Sequence, residues 1–304
     1  MNRTIAPLLV FVLLMLVSMP AAAQQDTGLE AQLRALAANY QGKVALFASE
    51  VSSGKTVALN AEVPVPTASI IKLAVLFDAL KEIQSGRAKL SEPLRLSAEN
   101  QVEGSGVLGQ FDTPLKITLK DALTMMIIVS DNTATNMVID RLGLKNIDDR
   151  IRWMGLHNTW LYKKVFKPAV QPAPADQKVF GLGKTTAREM AQIMQRFATC
   201  NLRAPGLTAP PSAGDRKLCG AAINMLKGQT DQIAIPRYLS NVVVANKTGA
   251  LDAVRNDVAI LYAQNGPIII SAFTNENKDT RWTPENAGQL LIATLAKTIV
   301  ERWH

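Results

Sequence analysis

The chain has 304 residues, of which 48% are hydrophobic and 19% charged, and it carries a formal net charge of +8. This composition is typical of a well-buried globular protein and excludes a disordered or low-complexity chain. The basic residues form no run interleaved with aromatic residues. We therefore expect a diffusely basic surface that gathers anionic substrates, and no nucleic-acid partner.

Residues 1–23 have the pattern of a signal peptide. A short basic region with Arg3 precedes an apolar run at residues 5–19, and small residues follow at 21–23. The run is shorter than the ~20 residues that a membrane-spanning helix needs, which favours cleavage over a retained anchor. We therefore predict a periplasmic or secreted protein that begins at Gln24 and has no membrane attachment after cleavage.

Apolar periodicity in residues 24–304 predicts one domain with strands at both ends and helices between them. Helices are predicted at residues 29–40, 69–84, 119–129, 133–142, 145–154, 186–199 and 283–303, the second of them capped by Thr67. Strands are predicted at residues 44–47, 56–59, 242–245, 257–262 and 268–274. The strands can form one antiparallel sheet flanked by the terminal helices. This organisation gives an α/β lobe of about residues 24–66 and 220–304, and a helical lobe of about residues 67–219.

Cys200 and Cys219 are the only cysteines, and they flank a proline-rich segment. In an exported protein they are predicted to form a disulfide, with two free thiols as the alternative. Only His157 and His304 could add to a metal site, and neither has the spacing of a metal ligand. We therefore expect neither a metal nor a cofactor.

Ser69 and Lys72 stand three residues apart on a predicted helix, so their side chains share a face. A serine hydroxyl needs a base to act as a nucleophile, and an amine can be that base when burial or positive charge lowers its pKa. The surrounding residues are apolar, and a buried lysine without a function is unfavourable. We predict Ser69 as the nucleophile and Lys72 as its base, with a chance surface pair as the alternative.

Ser130, Asp131 and Asn132 form a polar turn after the apolar end of a predicted helix. Ser130 can pass a proton to a leaving nitrogen, and Asn132 can hydrogen-bond both a substrate amide and Lys72. Asp131 is predicted to hold the turn through bonds to nearby backbone. A plain helix cap is the alternative interpretation of this triplet.

Lys247, Thr248 and Gly249 are predicted to end a β-branched strand. Lys247 and Thr248 can bind a substrate carboxylate, and Gly249 leaves room for a ligand beside the strand. The charge of Lys247 would also lower the pKa of Lys72 if this strand lies across the cleft. Arg255, just past the strand, is a further candidate for the carboxylate, with a surface arginine as the alternative.

In this order the three motifs resemble the signatures of class A β-lactamases and penicillin-binding proteins. The resemblance extends to residues 104–108, 130–137 and 183–191, and covers most of the chain from about residue 29. It implies a two-lobe serine β-lactamase or transpeptidase-like fold, and attack by Ser69 on a β-lactam or a D-Ala-D-Ala-like substrate. In the family arrangement the amide N–H groups of Ser69 and Ala250 form the oxyanion hole.

The segment 161–184 corresponds to the family's omega loop, and it departs from the family pattern. Class A enzymes hold a glutamate there, which activates water to hydrolyse the acyl-enzyme. Counting along the loop places Phe166 at that position, and the segment contains no glutamate. Asp176 is the acidic residue available, and Asn136, which partners the glutamate in the family, is left without an assigned role. Arg255 also falls one residue earlier than in the family pattern.

Three functions remain open from the sequence. The extended similarity favours a serine β-lactamase that provides antibiotic resistance, with slow or atypical deacylation. A D,D-peptidase acting on peptidoglycan shares the three motifs and needs no such glutamate. The third is a β-lactam-binding protein without turnover. A Ser-His-Asp hydrolase is set aside because His157 lies at a predicted helix end, and we expect a monomer.

Overall fold

A computed structural model describes residues 24–170, 174–207 and 209–303. The predicted signal peptide lies outside the described residues. Within these ranges, none of the helices combines the length and the apolar character that crossing a membrane would require.

Strands at both ends of the chain enclose a helical middle, as the periodicity predicts. The strands are β1 (Gln24–Gln25), β2 (Lys43–Glu50), β3 (Lys55–Leu59), β4 (Val65–Pro66), β5 (Pro93–Leu96), β6 (Leu115–Thr118), β7 (Trp160–Leu161), β8 (Gly183–Thr185), β9 (Val243–Leu251), β10 (Val254–Ala263) and β11 (Gly266–Asn275). The helices are α1 (Thr27–Ala37), α2 (Lys72–Gln84), α3 (Leu119–Ile128), α4 (Asn132–Leu142), α5 (Leu144–Trp153), α6 (Gln177–Phe180), α7 (Ala187–Ala198), α8 (Ala213–Lys227) and α9 (Ala287–Trp303).

The main sheet has six strands in the order β1-β3-β2-β11-β10-β9. It is antiparallel, as predicted, except that the short strand β1 pairs in parallel with β3. The prediction that Lys247, Thr248 and Gly249 end a strand is wrong. Strand β9 continues through them, because its ladder with β10 extends to the pair Leu251–Val254. The third motif therefore lies within an edge strand.

Alternate residues of the sheet face two separate apolar clusters. On β10, Val258 and Ile260 belong to the cluster between the sheet and the helical lobe. Ala259 and Leu261 belong to the cluster that α1 and α9 cover. Because side chains of a strand alternate between its two faces, one strand contributes to both cores. The sheet thus separates the terminal helices from the helical lobe, and the lobe boundary runs along one face of the sheet.

The starts of α2 and α9 differ most from their predictions. The helix predicted from residue 69 is a 3₁₀ turn, Ala68–Ile71, followed by α2. Thr67 gives no side-chain cap, because its own backbone is helical (φ −72°, ψ −31°) and a capping residue needs a non-helical backbone. Helix α9 begins at Ala287, where Asp279 Oδ2 accepts a hydrogen bond from the backbone N–H at 2.8 Å.

Helix α8 is absent from the sequence prediction. Its start is a capping box in which Ser212 and Asp215 each accept a hydrogen bond from the other's backbone N–H. This spacing is the signal that the sequence offers for the helix. Cys200 and Cys219 form the predicted disulfide, which ties the end of α7 to α8. Because α8 continues to Lys227, the lobe boundary drawn near residue 219 falls inside a helix.

Candidate active site

Ser69 lies in the 3₁₀ turn before α2 and packs against strand β9. A Cβ atom at Gly249 would lie 2.9 Å from the backbone N of Ser69 and 3.0 Å from that of Ile70. Only glycine therefore allows the strand to approach the serine this closely. Ala68, directly before the serine, has φ 45°, a conformation that residues with a Cβ rarely adopt. The candidate nucleophile thus occupies a constrained turn against the third motif.

Lys72 opens helix α2, and its side chain is completely buried. Its Nζ donates to Ser130 O at 2.7 Å, to Ser130 Oγ at 3.1 Å and to Asn132 Oδ1 at 3.0 Å. Burial, and next the positive charge of Lys247, lower the pKa of Lys72 well below its usual range. An amine of lowered pKa is more often neutral, and only the neutral amine can accept a proton. Within the described residues its hydrogen bonds reach Ser130 and Asn132, and none reaches Ser69.

Ser130 stands between α3 and α4 and has φ 56°, again outside the range usual for a residue with a side chain. Its Oγ lies 3.1 Å from Lys72 Nζ and 3.0 Å from Lys247 Nζ. A hydroxyl oxygen can accept from both amines while its own proton stays available to a third group. The side chains of all three motifs are therefore linked at or beside this hydroxyl.

Lys247 is completely buried and also donates to the backbone O of Thr248 at 2.7 Å. Burial lowers the pKa of Lys247 to about 8, an effect that the negative charges of Asp231 and Asp257 oppose. Asp257 pairs with Thr248 in the β9–β10 ladder and accepts from Asn246 Nδ2 at 3.0 Å. Burial raises the pKa of Asp257 to about 7. Asp257 was not predicted as a site residue, and its signal in the sequence is a lone acid in an apolar strand.

Asp131 holds the turn of the second motif, as predicted. Its Oδ2 accepts from the backbone N–H groups of Val107 (2.7 Å) and Leu108 (2.9 Å), and Oδ1 accepts from Ala134 N (2.8 Å). A Cβ atom at Gly106 would lie 2.3 Å from the carboxylate. The glycine therefore lets the loop close over Asp131, and this loop and the start of α4 form one packed unit.

Arg255 lies on β10 opposite Ala250 and is buried. Its guanidinium donates to the carbonyls of Val254 (2.8 Å) and Arg281 (2.7 Å) and lies 4.7 Å from the ring centre of Trp282. All of its hydrogen bonds within the described residues go to main-chain carbonyls. Arg255 is thus tied to the β9–β10 turn, and these contacts do not bring it to the two buried lysines.

Asn136 is fully buried in α4 and holds the loop after β7 at Val165. Its Oδ1 accepts from Val165 N at 2.8 Å, and its Nδ2 donates to Val165 O at 3.0 Å. The next residue, Phe166, has φ 54° and is 60% exposed. Asn136 therefore holds Val165, the residue before Phe166, and makes no hydrogen bond to Phe166 within the described residues.

Asp176, the acidic residue considered as a substitute, is engaged elsewhere. One carboxylate oxygen accepts from the Tyr162 hydroxyl at 2.8 Å, and the other pairs with Lys184. The Lys184 hydrogen bond is the main cause of a lowered pKa at Asp176. These two contacts hold the carboxylate between Tyr162 and Lys184.

The grouped side chains can support acyl transfer. They combine a partly exposed serine, a buried amine of lowered pKa and a hydroxyl held between two amines. Among residues 24–170, 174–207 and 209–303, no group of three or more His, Cys, Asp and Glu side chains could hold a metal ion.

The chain matches a known protein family over most of its length. A family model described as the β-lactamase enzyme family matches residues 28–303. Among curated proteins, β-lactamase SME-1 of Serratia marcescens is 23% identical, over 92% of this chain and 92% of that protein. A β-lactamase of Bacillus subtilis is 26% identical, over 86% of this chain and 79% of that protein.

Solved structures confirm the predicted two-lobe fold. A β-lactamase from Sphaerobacter thermophilus superimposes with a TM-score of 0.75 at 24% identity, covering 91% of this chain and 96% of that one. A mutant of PBP-A, solved as an acyl-enzyme complex with penicillin G, gives a TM-score of 0.77 at 21% identity, covering 94% and 99%. At these identities the likeness concerns the fold alone.

Proposed function

Because the chain belongs to the β-lactamase enzyme family, we propose that it is an exported serine hydrolase that opens β-lactam rings through an acyl-enzyme on Ser69. The contact of Ser130 Oγ with both buried lysines carries this proposal. Such a hydroxyl is suited to deliver a proton to a leaving nitrogen. Export rests on the composition of residues 1–23.

Acylation would proceed in three linked proton transfers. Neutral Lys72 accepts the proton of Ser69 while Oγ attacks the β-lactam carbonyl carbon. The oxyanion is stabilised by the amide N–H groups of Ser69 and Ala250, which the close approach of β9 supports. The C–N bond then breaks as Ser130 protonates the nitrogen, and Lys72 returns a proton to Ser130 along their 3.1 Å hydrogen bond. Lys72 ends neutral, and the ring is open.

Substrate binding is assigned to the groups around this relay. Lys247 and Thr248 would bind the substrate carboxylate. Asn132 would form a hydrogen bond with the amide of the substrate's acyl side chain. Gly249 leaves space for the ligand beside the edge strand. We assign Arg255 to the support of the β9–β10 turn in place of direct carboxylate binding, because its hydrogen bonds go to main-chain carbonyls.

Deacylation is proposed to be slow. Val165, held by Asn136, would occupy the position of the hydrolytic glutamate, and its side chain carries no base. The carboxylate of Asp176 is bound to Tyr162 and Lys184. General-base assistance is typically worth ~10²–10⁴-fold in rate. An acyl-enzyme formed at Ser69 should therefore persist.

The missing base also favours a second candidate, a D,D-peptidase or a β-lactam-binding protein. The test incubates the mature protein with a chromogenic cephalosporin and follows both product and adduct mass. Product in excess of one equivalent, however slowly it forms, supports the hydrolase and a role in resistance, whereas an adduct that releases no product supports the second candidate. Release of D-alanine from a pentapeptide then separates a peptidase from a binder. An adduct that survives Ser69→Ala would refute the assignment of the nucleophile.

A further inference from the structure

The loop after β7 contains a turn in which an aromatic residue occupies a position suited to glycine. Lys167 N donates to Lys164 O at 3.2 Å, so these residues form a β-turn with Phe166 third. Its φ of 54° is the value at which turns favour Gly or Asn. A bulky residue in this conformation is an outlier, and it persists only where its surroundings fix it.

Neighbouring residues hold this turn in place, but they leave most of the Phe166 ring exposed to solvent. Asn136 holds Val165 through two hydrogen bonds, at 2.8 Å and 3.0 Å. On the other side, Lys167 Nζ donates to Glu99 O at 3.1 Å. The side chain of Phe166 itself is 60% exposed. The strained conformation therefore presents an aromatic ring to solvent, which packing alone does not require.

The ring lies at the edge of the candidate active site. A Cβ atom at Gly104 would lie 3.0 Å from Phe166 Cε2 and 3.5 Å from Cζ. The same point is 2.8 Å from Asn132 Nδ2. The ring and the Asn132 amide thus flank one glycine, and the other end of that amide accepts from Lys72. An apolar surface stands beside the group assigned to the substrate's side-chain amide.

We propose that Phe166 is a specificity-determining residue that binds an aromatic or large apolar acyl side chain of the β-lactam. This inference rests on the proposed function and names its preferred substrate class. A group attached to the amide at Asn132 would extend towards the exposed ring and cover it. Aromatic pairing and removal of apolar surface from water would then favour β-lactams with such side chains over those with none.

The test compares acylation by benzylpenicillin, which carries a phenylacetyl group, with acylation by 6-aminopenicillanic acid, which carries no acyl group. Rates of adduct formation are measured by mass spectrometry for the wild type, Phe166→Gly and Phe166→Tyr. We expect Phe166→Gly to lower the benzylpenicillin rate about tenfold, the size of a lost aromatic contact, and to change the other rate less than about twofold. Phe166→Tyr should retain the wild-type ratio.

The matched control is Val179→Ala, which shortens an exposed apolar side chain on α6. It should leave the ratio of the two acylation rates unchanged. Phe166→Asn, whose side chain also tolerates positive φ, replaces the glycine variant if that variant does not fold. Equal rate losses for both substrates, or an unchanged ratio in the ring-free variant, would overturn this inference alone. If the wild type gave neither an adduct nor a hydrolysed product with either compound, the proposed function would be overturned, and this inference with it.

Discussion

Lys247 Nζ lies 3.0 Å from Ser130 Oγ, so a side chain of the sheet and one of the helical lobe meet at the same hydroxyl. Both lobes must therefore be docked for the relay to exist. Lys72 Nζ reaches the same oxygen from α2, and its pKa is lowered first by burial and next by the charge of Lys247. Proton transfer and the junction of the two lobes consequently depend on the same atoms.

The acylation rate should have a bell-shaped pH dependence. It rises as Lys72 loses its proton and becomes a base, and it falls as Lys247 loses its charge near pH 8. Lys247→Arg should move the falling limb upward by more than about one pH unit, because an arginine keeps its charge. The measurement is the acylation rate constant from about pH 5 to about pH 10. A falling limb at the same pH in both proteins would exclude Lys247 as its origin.

Val165→Glu should shorten the lifetime of the acyl-enzyme. The substitution places a carboxylate at the residue that Asn136 holds, where it can activate water, and the gain should be ~10²-fold or more. Phe166→Glu, the substitution that the sequence alignment suggests, should have a smaller effect because Phe166 is exposed, whereas Val165 is buried. Adduct lifetimes after removal of excess penicillin provide the comparison. A shorter adduct lifetime for Phe166→Glu than for Val165→Glu would favour Phe166 as the position of the glutamate.

Gly249→Ala should impair acylation more than it impairs folding. The added Cβ would lie 2.9 Å from Ser69 N, so β9 and the serine must separate and the oxyanion hole must open. Loss of one such donor typically lowers kcat ~10²–10³-fold, while overpacking reduces the free energy of unfolding by about 1–3 kcal/mol. Gly220→Ala in α8 is the matched control, since its Cβ meets no atom within 4 Å. Acylation of Gly249→Ala at the wild-type rate would contradict the close approach.

Asp257→Asn should change how stability depends on pH. Folding raises the pKa of Asp257 to about 7 from about 4 in the unfolded chain. Its contribution to stability is therefore complete below about pH 4 and is lost as the pH rises to about 7. Because asparagine resembles the protonated acid, the free energy of unfolding should shift in favour of the variant by about 1–3 kcal/mol between about pH 5 and about pH 8.

Urea denaturation at several pH values measures this difference, with the exposed Asp112→Asn as the control. A constant difference between Asp257→Asn and the wild type across this range would show that the carboxyl keeps its ordinary pKa in the folded protein.

The sequence was sufficient for the parts of the site that depend on burial and local turns. Asp131 has the backbone contacts expected of it, and Lys72 contacts Asn132 as predicted. Ser69, in contrast, lies in a 3₁₀ turn, and within the described residues no hydrogen bond joins it to Lys72. The apolar residues around Lys72 correctly indicated burial, and from burial followed the direction of its pKa shift. Local periodicity and solvation determine these features, and both can be read from the chain.

Features that depend on strand or loop register could not be predicted from local sequence patterns. Arg255 and Asn256 are neighbours on β10, so a strand longer than predicted assigns them to opposite faces. Asn256, at the family's arginine position, turns to the carbonyl of Pro66 at 2.9 Å, while Arg255 turns to the far side. The choice between Val165 and Phe166 as the glutamate position is open from sequence for a related reason. An irregular loop has no period to count along, and only the contact with Asn136 fixes its register.

The carboxylate of Asp131 closes the loop at Val107 and Leu108 and also holds the first turn of α4 at Ala134. The same helix start carries Asn132, which orients Lys72. Fraying of a single helical turn would therefore disable the nucleophile's base and open the wall of the cleft in one event. Enzymatic competence in this protein is consequently a sensitive reporter of local order at the start of α4, and should disappear before the sheet itself unfolds.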